Sequence, residues 1–225
     1  MESNQTRCYR CIGDIRKMIK YGKTRSSSQR YICRVCGKTR VENYRYQAYN
    51  VDINHNIIQL TKEGLGIRST ARILKISATT LLKRIISIAR SITKPIISRG
   101  KTYEVDELCT NIRHKKNYIW LVYALEKNSK NVVSFNVGKR TNKTLNRVLE
   151  TLKLSEAKKI FTDRLKNYRY LIEEKQHSVK RFGTNHIERK NLTLRTHLKR
   201  LNRRTICFSK SLVIFTAVLK IYFWI

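Results

Sequence analysis

Four cysteines near the amino terminus are arranged as two CxxC pairs. Cys8 and Cys11 form the first pair and Cys33 and Cys36 the second, with 21 residues between the pairs. Two thiolates three positions apart on a tight turn can bind one metal ion from the same side, and a second such turn completes a tetrahedral ligand set. Free thiols or a redox pair are the alternatives, but two pairs in one short segment favour a closed, structural Zn²⁺ site.

Carboxylates are the second group that could do chemistry. They are scarce in this chain, so a carboxylate that lies in an apolar strand needs a specific explanation. Lys and Arg number 49, whereas Asp and Glu number 15. An alternating apolar and polar run predicts a strand that directs Glu104 and Asp106 to one face. Asp163 ends a second apolar strand, and Glu188 lies in a long helix that begins at about Asn185.

Glu188 shares a face of that helix with two cations, Arg195 and Lys199, at positions +7 and +11. Three carboxylates of this kind can hold two Mg²⁺ ions about 4 Å apart, where one activates a water or a 3′-hydroxyl and the other stabilises the leaving oxygen. Buried salt bridges are the alternative role for these acids, and their spacing alone favours neither reading.

The charge of the chain indicates its class of partner. The formal net charge of the 225 residues is +34, and both halves of the chain are basic. Such a charge opposes a compact state unless a polyanion is near, so we expect nucleic acid or an anionic membrane face as the partner. A hydrophobic content of 41% still allows a buried core and argues against a disordered basic tail.

Secretion and membrane insertion are not expected. The first twenty residues contain no apolar signal segment, so the six cysteines indicate a reducing cytoplasm. The one strongly apolar tract, residues 212–225, has 14 residues and contains Lys220. It is too short to cross a bilayer and predicts a helix that packs in the core.

Changes in pattern divide the chain into four parts. We expect a zinc ribbon over residues 1–45, a helix-turn-helix domain over 46–92, a linker over 93–101 and an α/β domain over 102–225. The linker contains Gly100 and the only proline, Pro95.

The second part fits three helices in a helix-turn-helix arrangement. Ala71 is small enough for two helices to cross closely, and Ser77 can cap the third helix. The third helix would present a polar surface to a DNA major groove, made by Thr79, Thr80, Lys83 and Arg84. An ordinary three-helix bundle is the alternative.

The fourth part predicts the order βββ-α-β-α-β-α. This is the order of a ribonuclease-H-like fold, in which a mixed five-stranded sheet carries helices and the first strand lies beside the fourth. Asp106 and Asp163 would then be neighbours.

Residues 103–211 resemble the catalytic part of DDE transposases of the insertion sequence 1 family, and residues 8–90 resemble the zinc-ribbon and helix-turn-helix part of the same proteins. The resemblance rests on the motifs CYRC, RYICRVCGKTR, GIRSTARIL, VDEL, FTDRLKNY, HIERKNLTLRTHLKRLNRRT and FSKS. The IERKNLTLR run, with 24 residues between Asp163 and Glu188, is the most specific of them.

The resemblance implies a metal-dependent transposase. It makes Asp106, Asp163 and Glu188 the ligands of Mg²⁺ or Mn²⁺, with Arg189, Asn191 and Arg195 as supporting residues of the last helix. Together with Lys199, which the helix spacing adds, these three are the DNA contacts expected of that helix. Such a protein binds the terminal inverted repeats of its element, cuts there and joins the 3′ ends to target double-stranded DNA. It would act as a homodimer or larger assembly, associated with the nucleoid in a bacterial or archaeal cytoplasm.

Two positions depart from the family pattern. Arg164 stands where the family usually has glycine after its second aspartate, and Cys109 stands where tryptophan is common. A catalytically inactive copy that represses transposition is therefore the rival reading, and a structure-specific nuclease with the same triad is a weaker one.

Overall fold

The computed structural model describes residues 8, 10–11, 18–42, 46–203 and 205–225. The chain divides into two compact units, Met1–Val51 and Asp52–Ile225. The expected end of the zinc ribbon at residue 45 lies outside the described residues.

The first unit contains a small antiparallel sheet. Its strands are β1 (Ile19–Lys23), β2 (Gln29–Ile32) and β3 (Thr39–Val41), in the order β1-β2-β3. Every residue of β1 is exposed, and among the described residues the buried apolar cluster beside this sheet consists of Met18 with Cys8 and Cys33. A cluster of this size contributes little to stability, which is the situation in which a structural metal stabilises a fold.

The second unit begins with three helices, as the sequence predicts. They are α1 (Ile53–Lys62), α2 (Ile67–Ile73) and α3 (Ala78–Ser91). The Ser77 hydroxyl caps α3 by accepting a hydrogen bond from the Thr80 backbone N–H at 3.1 Å. The helices bury an apolar stripe that includes Ile57, Leu81 and Ile85.

A mixed five-stranded sheet follows. Its strands are β4 (Thr102–Asn111), β5 (Tyr118–Glu126), β6 (Val132–Gly138), β7 (Lys159–Phe161) and β8 (His177–Ser178), in the order β6-β5-β4-β7-β8. Strands β4, β5 and β6 pair antiparallel, whereas β7 pairs parallel to both β4 and β8. The first strand thus lies beside the fourth, and the predicted ribonuclease-H-like fold is confirmed.

Four helices cover this sheet: α4 (Asn142–Leu154), α5 (Lys166–Leu171), α6 (Asn185–His197) and α7 (Leu212–Trp224). Helices α4 and α5 pack on the face that carries Tyr103 and Val105. Helices α6 and α7 pack on the opposite face, which carries Leu108 and Tyr123. Because side chains alternate along β4, Glu104 and Asp106 point toward the face that α6 covers.

Helix α7 is the predicted core-packing helix, and it contacts the sheet as well as the first helices. Its Phe215 and Leu219 join the core beneath the sheet, and the helix also packs against α1 and α3. Lys220 Nζ donates a hydrogen bond to the Ala89 carbonyl at 3.4 Å. In the part of the chain that the structure describes, no helix combines the length and apolarity that crossing a bilayer requires.

The turn between α1 and α2 touches the end of α6 at Gly64. This glycine has φ of +73°, and a Cβ placed on it would lie 1.9 Å from the His197 carbonyl oxygen. The ring of His197 is itself held by α7, since its Nδ1 is 2.7 Å from the Tyr222 hydroxyl. Only glycine fits this approach.

Substituting Gly64 tests how strongly this contact holds the two groups of helices together. Gly64→Ala forces a side chain into a left-handed backbone, which costs about 1–2 kcal/mol, and adds a backbone clash worth about 1–3 kcal/mol more. Gly100→Ala is the matched control, because Gly100 has φ of +68° and nothing within 4 Å of its added Cβ. Urea unfolding should show the larger loss for Gly64→Ala, and equal losses would contradict the contact.

Candidate active site and metal centre

The four predicted cysteine ligands lie together in the first unit. Their Sγ atoms are all within 4.8 Å of one another, with 3.5 Å between Cys8 and Cys36 and 3.9 Å between Cys11 and Cys33. A tetrahedral Zn²⁺ ion with bonds of about 2.3 Å sets its sulfur atoms about 3.8 Å apart. All four thiols are free, so the cluster has the chemistry and spacing of a zinc site.

Tight turns aim these thiols inward. In the second pair, the Gly37 N–H donates to the Cys33 carbonyl at 2.9 Å, and Gly37 has φ of +66°. In the first pair, hydrogen bonds from the backbone N–H groups of Arg10 and Cys11 lower the pKa of the Cys8 thiol to about 6. This favours the thiolate of Cys8, which is the form that binds metal, whereas hydrogen bonding with Cys36 and burial raise the pKa of the Cys11 thiol.

A cluster of carboxylates lies where β4 and β7 part. One oxygen each from Asp106, Glu107 and Asp163 lies within 4.8 Å of the other two. The parallel register pairs Glu104 with Phe161, so both aspartates lie two residues beyond the last pair. The structure therefore brings Asp106 and Asp163 together as the strand order predicts.

Asp106 is oriented by a chain of hydrogen bonds from the neighbouring elements. Asn191 Nδ2 on α6 donates to Asp106 Oδ2 at 2.6 Å, and the Tyr123 hydroxyl on β5 donates to Asn191 Oδ1 at 2.8 Å. The Glu107 backbone N–H donates to Asp106 Oδ1 at 2.7 Å. Both amide atoms of Asn191 thus have protein partners, so this side chain positions Asp106.

Burial raises the pKa of Asp106 from its ordinary value of 3.8 to about 6, and the neighbouring charges of Glu107 and Asp163 act in the same direction. The hydrogen bonds from the Glu107 backbone and Asn191 oppose this rise only in part. A carboxylate such as Asp106, whose ionisation is disfavoured in this way, suits a hard divalent cation, which would balance its charge.

The third predicted ligand, Glu188, lies on the same side of α6 but outside this close group. It is exposed in the first turn of the helix, where its Oε1 accepts a hydrogen bond from the Thr184 hydroxyl at 2.8 Å. Three positions further, Asn191 lies on the same helix face and contacts Asp106. Among the described carboxylates, Glu107 takes the place in the cluster that the sequence assigns to Glu188.

Glu104 anchors the helix that carries these residues. Its carboxylate is fully buried, and its Oε2 accepts from the Ile187 backbone N–H at 2.8 Å. Its Oε1 lies 2.8 Å from His186 Nδ1 and 3.7 Å from Lys127 Nζ. The amino end of α6 is therefore tied to the central strand. Sequence reasoning missed this role, although it placed Glu104 on the correct face.

Some of the expected DNA-contact residues of α3 make hydrogen bonds within the protein. Thr79 and Lys83 are exposed on the amino-terminal half of the helix. The Thr80 hydroxyl accepts a hydrogen bond from Ser77 at 2.8 Å, and Arg84 NH1 lies 3.5 Å from Asn54 Oδ1. A role for these four side chains in reading DNA stays a prediction.

On α6, Arg189 is exposed and Arg195 is turned toward the protein, where its NH1 donates to the Leu201 carbonyl at 2.7 Å. The expectation that Lys199 extends the Glu188 face of the helix is wrong. Helix α6 ends at His197, and Lys199 lies in a 3₁₀ turn, because the chain leaves the helix to bury Leu201.

The two positions that depart from the family pattern lie near the carboxylates. Arg164 is exposed, and beside it the Leu165 backbone N–H donates to Asp163 Oδ1 at 3.0 Å. Cys109 is half-buried opposite Trp120 in the pairing of β4 with β5.

Comparison with known proteins gives consistent matches. The family model described as IS1 transposase matches residues 101–225. The chain is 34% identical over 116 residues to the iso-IS1n InsB protein of Shigella dysenteriae, covering 52% of this chain and 88% of that protein. It is 36% identical over 119 residues to the IS1 InsB protein of Shigella flexneri, covering 53% and 91%.

Among solved structures, the chain is similar to the catalytic core domain of HTLV-2 integrase in complex with magnesium, in its trimeric form. The TM-score is 0.38 and the sequence identity is 18%, over 57% of this chain and 86% of that chain.

The cysteine cluster predicts one Zn²⁺ per chain. Cys11→Ser removes one of four thiolates, so metal analysis of the purified protein should show its zinc content falling well below that of the wild type. Cys207→Ser is the matched control, because Cys207 is exposed and outside the cluster. A wild-type protein purified without zinc would contradict the site.

The raised pKa of Asp106 predicts a pH dependence of stability. Because its folded-state pKa lies above its ordinary value, ionising Asp106 costs folding free energy; this cost is absent below pH 3.8 and complete above about pH 6. In metal-free buffer, Asp106→Asn should therefore gain stability relative to the wild type by about 2–3 kcal/mol as pH rises through this window. Urea unfolding measures this difference.

Glu174→Gln, at an exposed carboxylate, is the control for that experiment. A stability difference between Asp106→Asn and the wild type that stays constant from pH 4 to pH 7 would show that Asp106 ionises normally in the folded protein.

Proposed function

The chain belongs to the IS1 transposase family, and from this membership we propose that it cuts DNA at the terminal inverted repeats of an insertion sequence and joins the freed 3′ ends to target DNA. The observation that carries the proposal is the meeting of Asp106 and Asp163 at the point where β4 and β7 part. Two carboxylates held in this way, beside a helix with a third, have the composition of a DDE phosphoryl-transfer site.

Mg²⁺ or Mn²⁺ held by Asp106, Asp163 and Glu188 would activate a water or 3′-hydroxyl and stabilise the leaving oxygen. Glu188 is a better third ligand than Glu107, although Glu107 lies closer. Glu107 accepts hydrogen bonds on both oxygens, from the Tyr168 hydroxyl and from Arg140. Glu188 is exposed and accepts one from Thr184, so it is more easily turned toward a cation.

The residues around the carboxylates orient them. Asn191 and Tyr123 hold Asp106 in one direction, and the Leu165 backbone N–H holds Asp163. The link from Glu104 to Ile187 keeps α6 at a fixed position along β4. A preorganised arrangement of this kind reduces the reorganisation that phosphoryl transfer would otherwise require.

DNA binding is assigned to the amino-terminal part of the chain. The net charge of +34 favours a polyanionic partner, and the exposed Thr79 and Lys83 at the start of α3 suit contacts in a major groove. We propose a homodimer or larger assembly, because two DNA ends must be processed together. We also propose that it acts on the nucleoid in a bacterial or archaeal cytoplasm.

A catalytically inactive repressor is the second candidate function, and Arg164 favours it. This exposed cation follows Asp163 directly, where it can compete with a metal ion for the carboxylate or obstruct the DNA. The fold and the DNA-binding helices would serve a repressor equally well.

Strand-transfer assays on repeat-ended DNA test the proposal. Asp163→Ala removes a ligand and a negative charge, so cleavage and joining with Mn²⁺ should fall by more than about a hundredfold. Binding to the same DNA in a gel-shift assay should persist, because it is assigned to α3. Glu174→Ala, at an exposed carboxylate, is the control and should cleave as the wild type does.

Arg164→Gly separates the two candidate functions. An active wild type supports the transposase, and an inert wild type that Arg164→Gly makes active identifies Arg164 as the block. If both proteins bind repeat DNA and neither cuts it, the repressor is the correct reading.

A further inference from the structure

Arg140 is held in a fixed position beside the carboxylate cluster. It lies in the short connection after β6, immediately before Thr141, whose hydroxyl caps α4. Its guanidinium carbon is 4.4 Å from the centre of the Trp120 ring, and its NH2 is 2.9 Å from Glu107 Oε2. The register explains the stacking, because Gly138 pairs with Trp120 and the chain then turns over the ring.

The Glu107 side chain is held in place by other residues, so it sets the position of the Arg140 guanidinium. Its side chain is 1% exposed, and its second oxygen accepts a hydrogen bond from Tyr168, whose ring is fully buried against the core. The same carboxylate contributes an oxygen to the group with Asp106 and Asp163. The guanidinium of Arg140 is therefore separated from the proposed metal ligands by one carboxylate.

The arrangement leaves Arg140 with binding capacity. A guanidinium has five N–H donors. Among the described residues, its hydrogen-bond partner is Glu107 alone, and 39% of the Arg140 side chain is exposed. Compensating the buried Glu107 carboxylate uses one edge of the guanidinium, so the exposed N–H groups remain available to a further partner. Such a planar fork, oriented in advance, is suited to a phosphate.

We propose that Arg140 binds a backbone phosphate of the DNA next to the bond that is cut, and that Glu107, Tyr168 and Trp120 hold its guanidinium for this contact. The inference rests on the proposed function, since it takes a DNA strand as the substrate of the neighbouring carboxylates. The phosphate uses the exposed N–H edge of the guanidinium, while the bond to Glu107 is kept. Arg140 thereby fixes the strand whose adjacent phosphodiester the carboxylates attack.

A charge-removal cycle tests this contact with the full chain and repeat-ended DNA. Each phosphate near the cut site is replaced, one at a time, by an uncharged methylphosphonate, and every DNA is tested with wild type and with Arg140→Ala. With ordinary DNA, Arg140→Ala should reduce cleavage by about ten- to hundredfold. At one flanking position the methylphosphonate should slow the wild type similarly and have no further effect on Arg140→Ala.

Two further variants separate binding from folding. Arg140→Lys keeps the charge but loses the planar fork, so it should recover only part of the activity. Lys139→Ala, at the exposed neighbouring cation, is the matched control and should remain additive with every methylphosphonate. Because Arg140→Ala leaves the buried Glu107 carboxylate without its cation, some loss of stability is expected. Urea unfolding therefore serves to choose assay conditions in which this variant is fully folded, which excludes misfolding as the cause of its losses.

The same DNA set is also used to measure equilibrium binding, which does not depend on cleavage. If the wild type cuts DNA and losses from Arg140→Ala are additive at every position in both assays, the contact is refuted and the proposed function stands. If the wild type is inert, the proposed function fails. Equilibrium binding of the same DNAs by wild type and Arg140→Ala then still tests the contact. Non-additivity at one phosphate supports the contact, and additivity at all of them overturns it.

Discussion

The buried carboxylate of Glu104 is the interaction on which the arrangement of the candidate site depends. A carboxylate removed from water is costly unless hydrogen bonds and charges compensate it. Here the compensation comes from the first turn of α6, through the Ile187 N–H and His186, and from Lys127. The amino end of a helix also attracts negative charge. Because α6 can satisfy Glu104 at only one position along β4, that position brings Asn191 to Asp106. Losing this anchor would leave both a buried charge and a free helix N–H without partners.

Much of this arrangement could be predicted from local patterns. The order of strands and helices is enough to set β7 beside β4, and the parallel register then brings Asp106 and Asp163 together. The Ser77 cap follows from a short polar side chain before an apolar helical pattern. The four cysteines are equally predictable, since two CxxC turns on a small sheet have few ways to satisfy four thiols. In each of these cases, strand order, helix capping or metal binding allows one arrangement, so the sequence is enough to predict it.

Other features depend on how the elements end, which a periodic pattern does not report. Alternation places Glu107 on the opposite face of β4 from Asp106, yet its carboxylate joins the cluster. Strand β7 stops at Phe161, so the edge of β4 beyond Glu104 is open and a long side chain can reach around it. The prediction that Lys199 extends the Glu188 face of α6 is wrong for a similar reason. The apolar spacing of Leu194, Leu198 and Leu201 suggests one continuous helix, but the chain buries the last two by changing to a 3₁₀ turn.

The contact of Gly64 with His197 bears on the distance between the bases that the protein recognises and the bond that it cuts. Helices α1 to α3 belong to the same compact unit as the five-stranded sheet, and they share α7 with it. The segment expected to be a linker also packs, since Ile97 lies against the core. If α3 reads the repeat, the separation between the recognised bases and the cut bond is set by packed protein rather than by a flexible tether. The protein would then cut at one fixed distance from the bases that it recognises. Inserting a single base pair between them would move the bond to be cut away from the carboxylates.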